Sequence, residues 1–276
     1  MIAVESAAIS DIGKKRTQNE DALFCDDLMG LYVVADGMGG HLAGDVASKL
    51  VVETIRDYFR QFQEDEQFDE PVCIDETLSK EANRLLSSIR LSNQVVHQTS
   101  QSNESYRGMG STVSAVFFSN QTIIAANVGD SPIFLIRDGK ITLLSVFHTV
   151  FAEQSARDHE YAELLGGEFK HILTRAMGVD ESVEAHIHEF PYYKNDILVI
   201  SSDGLSDKAS PEEILRVVEK KSSDKACKEL VDIANQRGGD DNVTAIVLKV
   251  KKVQNSHHGL KGFIVQILKK LSNVHF

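Results

Sequence analysis

Between positions 111 and 137 three apolar runs follow one another with only a few residues between them: "STVSAVFF", "TIIAANVG" and "PIFLIR". Each is rich in branched and aromatic residues and reads as a β-strand, and "RDGKI" supplies a tight hairpin turn behind the last. Ala22–Cys25 and Leu31–Ala35 read as two earlier strands around "DDLMG", and "NDILVIS" and "VTAIVLKV" as two later ones. Helical periodicity comes in two pairs. Gly44–Phe62 aligns Ala47, Val51, Ile55, Tyr58, Phe59 and Phe62, and Ile74–Gln98 aligns Leu78, Ala82, Leu85, Leu86, Ile89 and Val96. The second pair is Pro211–Lys220, with Ser210 as its cap, and Lys225–Gln236. Strands in consecutive runs with helices in pairs predict an α+β fold of sheet layers covered by helices. The missing βαβ alternation argues against a doubly wound parallel sheet.

The 276 residues suffice for one large domain with a substantial core. A formal net charge of -12 is the wrong sign for a general nucleic-acid binder. Cys25, Cys73 and Cys227 are widely spaced and form neither a metal pattern nor a disulfide framework, which points to a reducing compartment. "MIAVESAAIS" lacks the charged start and apolar run of a signal peptide, and no segment has the apolar length to span a bilayer. The expectation is a cytoplasmic protein. Patterned segments fill one domain, residues 1–252, with a polar, weakly patterned excursion at about 151–170. In the tail, 253–276, Leu260, Phe263, Ile264, Ile267, Leu268 and Leu271 fall at helical spacing, with lysines elsewhere. Such a short basic amphipathic helix suits a membrane surface, a partner protein or the chain's own domain.

Carboxylates recur where apolar strands end or are about to begin. They stand in "QNEDALF" (Glu20, Asp21), "VVADGMGG" (Asp36), "LVISSDGLSD" (Asp203, Asp207) and "GGDDNVTAIV" (Asp240, Asp241), and Asp130 sits in the glycine turn of "AANVGDSPIF". Strand ends of a layered sheet can converge on one edge, and converging carboxylates are costly to desolvate without a cation. Oxygen donors with no Cys and no obligatory His select hard divalent ions, magnesium or manganese, over zinc. Several carboxylates around bridging water suggest two such ions, and Gly37 lets its backbone carbonyl approach one of them. The residues alone lead to metal-assisted hydrolysis, with a phosphate ester as substrate.

The order of the motifs goes further. "GKKRTQNEDALF", "VVADGMGGHLAGDVAS", "GMGSTVSAVFF", "AANVGDSPIFLIRDGKI", "ILTRAMG", "LVISSDGLSD" and "DDNVTAIVLKV" run in the order of the metal-dependent serine/threonine protein phosphatases, the PPM or type 2C family. From about residue 10 to 250 the chain resembles a bacterial member. The resemblance implies a central β-sandwich of two antiparallel sheets flanked by helices on both outer faces. It implies hydrolysis of phosphoserine and phosphothreonine by water activated at two Mn2+ or Mg2+ ions. Asp36 then bridges both ions, and the Gly37 carbonyl completes one site. Asp203 and Asp241 are ligands of the other, and Glu20 and Asp21 act directly or through coordinated water. Arg16 holds the substrate phosphate. Asp130 and Asp207 form a weaker third metal site, while Asn242 supports its turn.

Several positions depart from the pattern. Phe147 stands where relatives carry Asp in an Asp-His-Ser segment, Pro132 where Arg follows Gly-Asp-Ser, and His171 where bacterial members often have Asn. Met38 follows the Asp-Gly pair where many eukaryotic relatives carry His, and His41 reads as a turn or helix-entry residue. The implied partners are a phosphorylated protein and a cognate Ser/Thr kinase, with no nucleic acid, and the chain is expected to be a monomer. The competing reading is a catalytically weak or inactive phosphatase-like module that binds a phosphoprotein or kinase.

Overall fold

The computed structural model describes residues 3–39, 43–64, 75–119, 122–158, 162 and 167–252. The tail 253–276 and His41 lie outside the described residues. Two antiparallel sheets carry the domain. In the first, β1 (Ala3–Asp11), β11 (Val243–Lys252), β10 (Ile197–Ser201), β7 (Ile133–Arg137) and β8 (Lys140–Leu143) lie side by side in that order. In the second the order is β2 (Asp21–Asp26), β3 (Leu31–Met38), β5 (Val113–Phe118), β6 (Thr122–Val128) and β9 (His186–Pro191). The two-residue β4 (Gly110–Ser111) extends the pairing of β3.

Alternation along the strands sorts side chains into layers. Tyr32 and Val34 of β3 meet Ile133, Leu198, Ile200, Ile246 and Leu248 between the sheets. Leu31, Val33 and Ala35 face the other way, onto α1 (Ala43–Glu64) and α2 (Lys80–Ser102), where Val51, Ile55, Leu85 and Ile89 receive them. Phe59 of α1 meets Phe117 of β5 edge to face, with centroids 4.9 Å apart. The first sheet turns Phe134, Val199 and Val247 onto α5 (Pro211–Lys220) and α6 (Ser223–Gln236). The result is helix, sheet, sheet, helix. Strands buried on both faces read as continuous apolar runs, which is why the central ones were legible.

Three details differ from the sequence reading. The second long helix starts at Lys80 rather than Ile74, because the side chain of Ser79 caps it by accepting from the Ala82 N–H at 3.0 Å. The excursion after residue 150 opens with a helix, α3 (Val150–Arg157), capped by Thr149. The strand β1 has no apolar pattern of its own and exists by pairing along β11, with Ala7 opposite Val247. At Ser210 the expected cap is a full capping box with Glu213.

Candidate active site

Strand register assembles the site. Asp21, the first residue of β2, stands opposite Asp36 of β3. The β3 backbone at that point is held from one side by the start of β5: the Asp36 N–H donates to Thr112 Oγ1 at 3.0 Å. The Asp36 carbonyl accepts from the Thr112 N–H at 2.8 Å and from Ser111 Oγ at 2.9 Å. Glu20 reaches the same edge, its carbonyl accepting from the Gly37 N–H at 3.1 Å. From the first sheet, β10 ends at Ser201, and Ser202 leads into the one-turn helix α4 (Asp203–Ser206). Ser202 Oγ donates to Asp21 Oδ2 at 2.8 Å and accepts from the Thr244 N–H at 3.0 Å, tying the two sheets together at the carboxylates.

Asp241 precedes β11 and accepts from the Arg16 guanidinium at 2.7 Å, a pair about half exposed at the mouth of the cleft. Asn242 turns away from the cleft. Its Oδ1 accepts from the Glu20 N–H, and its Nδ2 donates to the carbonyls of Ile12 and Gln18, so one side chain pins the segment that carries Glu20 and Arg16. Asp240, adjacent to Asp241, pairs with Lys15 and Lys208 outside the cleft. Arg16, Glu20, Asp36, Gly37, Asp203 and Asp241 line a cleft of about 470 Å³, with Asp130 and Met38 on its walls. A larger cavity of about 660 Å³ shares Arg175 with the cleft and mixes both charge signs, Arg90 and Arg157 with Asp75, Glu153 and Glu184.

The electrostatics of the cleft are those of uncompensated negative charge. Burial pushes the Asp36 carboxyl well above the usual range, and the charges of Asp21, Asp203 and Asp241 push it further. Burial raises Asp21 to about 7, with Asp203 and Asp241 adding to it. Asp130 is raised to about 7 by burial and then by Asp203. Asp203, Asp207 and Glu20 are raised for the same first reason. Two oxygens, Asp21 Oδ1 and Asp203 Oδ1, are buried with no hydrogen-bond partner. Buried carboxylate oxygens left without donors fit a bound cation.

The backbone fits one too. A Cβ on Gly44, at the start of α1, would stand 2.8 Å from the Glu20 carboxyl and 2.9 Å from the Gly37 carbonyl oxygen. Glycine there lets a carboxylate and a carbonyl gather at one point, and the donors of Glu20, Asp21, Gly37, Asp203 and Asp241 around Asp36 are oxygens, the set for magnesium or manganese. The residues expected together are thus brought together: Glu20, Asp36, Gly37, Asp203 and Asp241 line one cleft with Arg16 at its rim, and Asp21 is buried next to Asp36. Asp130 and Asp207 share a neighbouring cavity of about 310 Å³ with His171 and Asp203. Ser202, Thr112 and Ser111, which hold the carboxylates in place, were not singled out in the sequence. Their only signal there is adjacency, in "SSDG" and "GMGST".

A helix-covered pair of antiparallel sheets whose strand ends gather oxygen donors beside an arginine defines the class of metal-dependent phosphatases. The chain belongs to the protein phosphatase 2C family, whose model matches residues 13–247. A protein phosphatase 2C-type protein of Streptococcus pyogenes is 36% identical over 240 residues, covering 85% of this chain and 93% of that one. The serine/threonine phosphatase PstP/Ppp of Mycobacterium tuberculosis superposes with a TM-score of 0.77 at 27% identity, over 91% of this chain and all of that one. A structure of the PstP catalytic domain in complex with two manganese ions gives a TM-score of 0.77 at 28% identity, over 91% of this chain and 100% of that one.

Proposed function

We infer that the protein is a metal-dependent serine/threonine phosphatase that hydrolyses phosphoserine and phosphothreonine in proteins. The observation that carries this reading is the convergence of Asp36, Asp203 and Asp241 beside Arg16, with buried carboxylate oxygens that no protein group satisfies. In our assignment Asp36 serves both of two Mn2+ or Mg2+ ions and the Gly37 carbonyl one of them. Asp203 and Asp241 serve the other, and Glu20 and Asp21 contribute directly or through water. Asp130 and Asp207 belong to a third, weaker site. When bound, such ions supply Lewis acidity at the phosphoryl oxygens and acidify water towards neutral pH.

The chain's own residues do the rest. Arg16 donates one of its five N–H groups to Asp241 and keeps the others for phosphate oxygens, which a planar fork suits. Thr112 and Ser111 fix the backbone of Asp36, so its carboxylate is oriented before substrate arrives. Ser202 holds one oxygen of Asp21 and leaves the other free. Met38, on the cleft wall, has no proton to give the leaving alkoxide, and we assign that role to water.

Turnover of a phosphothreonine peptide in millimolar Mn2+ tests this reading. We expect activity that chelator abolishes and that Asp36→Asn lowers by about a thousandfold or more. A wild-type protein without turnover would instead support the inactive binding module. Among the described residues no helix is long and apolar enough to cross a membrane. We extend the proposal to a monomer acting opposite a Ser/Thr kinase, with the lysine-bearing tail as a contact for a membrane surface or partner. Co-sedimentation with anionic liposomes, with and without residues 254–276, tests the membrane contact.

A further inference from the structure

We propose that His171 is a nitrogen ligand of the third cation, and that it biases this site towards a first-row transition ion and away from magnesium. The inference rests on the phosphatase reading above and adds a donor that the family resemblance does not supply.

The donor atoms of His171, Asp203 and Asp207 lie within 4.8 Å of one another. His171 Nδ1 and Asp207 Oδ2 are 3.7 Å apart, too long for a hydrogen bond. Two donors that each lie about 2.1 Å from one ion stand between about 3.0 Å apart (adjacent) and about 4.2 Å apart (opposite). The observed separation falls inside that span. Asp203 contributes an oxygen, Oδ1, that is buried without any partner. Asp130 lines the same cavity, together with Asp203 and Asp207.

The imidazole is carried next to backbone that is held at Ile172, Leu173 and Thr174, the residues that follow it. The Val150 N–H donates to the Ile172 carbonyl at 2.9 Å, the Thr174 N–H donates to the His148 carbonyl at 2.8 Å, and Thr149 and Leu173 form an isolated bridge. Asp207 is fixed to Asp203 across one helical turn, its N–H donating to the Asp203 carbonyl at 2.8 Å. His171 therefore faces two carboxylates from a segment that cannot drift far. Lys170 lines the cavity as well, with its ammonium 5.3 Å from the centre of the Phe151 ring, and its charge keeps this site weaker than the all-acidic pair.

The chemistry of the donor sets the preference. Carboxylate and water suit Mg2+, whereas imidazole suits later first-row ions, with affinity rising from manganese to cobalt. Asn, the residue common at this position in bacterial members, offers oxygen and would be indifferent.

Calorimetric titration with Co2+ and with Mg2+, together with proton NMR of the Co2+-loaded protein, tests the proposal on wild type and His171→Asn. The substitution is at a half-exposed side chain, so folding is not at stake. We expect three Co2+ binding events in wild type. In His171→Asn the weakest event loses about tenfold or more in affinity and the two tighter ones are unchanged. Mg2+ binding changes less than about twofold, because magnesium takes oxygen donors. Hyperfine-shifted imidazole ring-proton resonances are expected in wild type and absent from the variant. Resonances that are missing at saturating Co2+, or that persist in the variant, overturn the proposal. So does a variant that loses Mg2+ and Co2+ affinity equally, which marks a structural role. Two tight events with turnover but no imidazole signal remove this inference alone, whereas no binding and no turnover removes the phosphatase reading with it.

Discussion

Asp21 stands directly opposite Asp36 in the β2–β3 register, and both carboxyls are raised far above the range of a solvated aspartate. Two acids facing each other in a buried cleft repel when ionised, so the metal-free fold is under electrostatic load that cations relieve. With both residues assigned to the proposed metal site, metal binding and stability are expected to be coupled through this pair.

That coupling predicts how the metal-free protein responds to pH. Asp21 and Asp130, raised to about 7 from 3.8, bind protons in the folded state that the unfolded chain has already released. Their contribution is complete below about pH 4 and is lost as pH rises through 7. Glu5, Glu213 and Asp240, lowered to about 2, have the opposite sign, with a contribution constant above pH 5. His148, lowered to about 4 by burial, opposes only up to its ordinary pKa of 6.5, and is one group against Asp21 and Asp130 together. Thermal melts in chelator should therefore show a lower Tm at pH 8 than at pH 5. Saturating Mn2+ should flatten or reverse the difference, since cations favour the ionised carboxylates. A Tm that rises from pH 5 to pH 8 in chelator would contradict the account.

Arg16 and Asp241 form a half-exposed pair, so removing the guanidinium should cost the fold little, under about 1 kcal/mol. Its loss should be felt by substrate. Arg16→Ala should lower kcat/KM for a phosphopeptide by about 10- to 100-fold, mostly through KM. Arg16→Lys should recover only part of this, because an ammonium cannot present a planar fork. Steady-state kinetics with matched melting curves would check both halves.

The Asn242 N–H donates to Asp241 Oδ1 at 2.8 Å, and its side chain makes three hydrogen bonds to the segment that carries Arg16 and Glu20. Asn242→Ala should destabilise the protein by about 1–3 kcal/mol. It should also weaken Mn2+ affinity by about tenfold as Glu20 loses its anchor. Denaturant unfolding and metal titration would measure the two effects. An unchanged Mn2+ affinity would show that Glu20 is held by other contacts.

Much of this is legible in the sequence. Strands buried on both faces, such as β3, β6, β10 and β11, announce themselves as continuous apolar runs, and the carboxylates at their ends mark the cleft edge. Local pattern could not reveal β1. "AVESAAISD" is small and polar, and its place comes from pairing with β11 more than two hundred residues away. Nor could pattern alone separate Asp240 from Asp241, neighbours of which one meets Arg16 in the cleft and the other meets lysines outside it. The departure at His171 was visible as a letter, but its nearness to Asp203 and Asp207 is a property of the fold.

The central claim is that the Asp36 carboxylate lies between two cations. A crystal soaked in Mn2+ and measured at the manganese absorption edge tests it most directly. The account predicts two strong anomalous peaks about 3.5–4 Å apart, one on each side of Asp36, with the Gly37 carbonyl against one of them. A single peak, or peaks that do not contact Asp36, would contradict it.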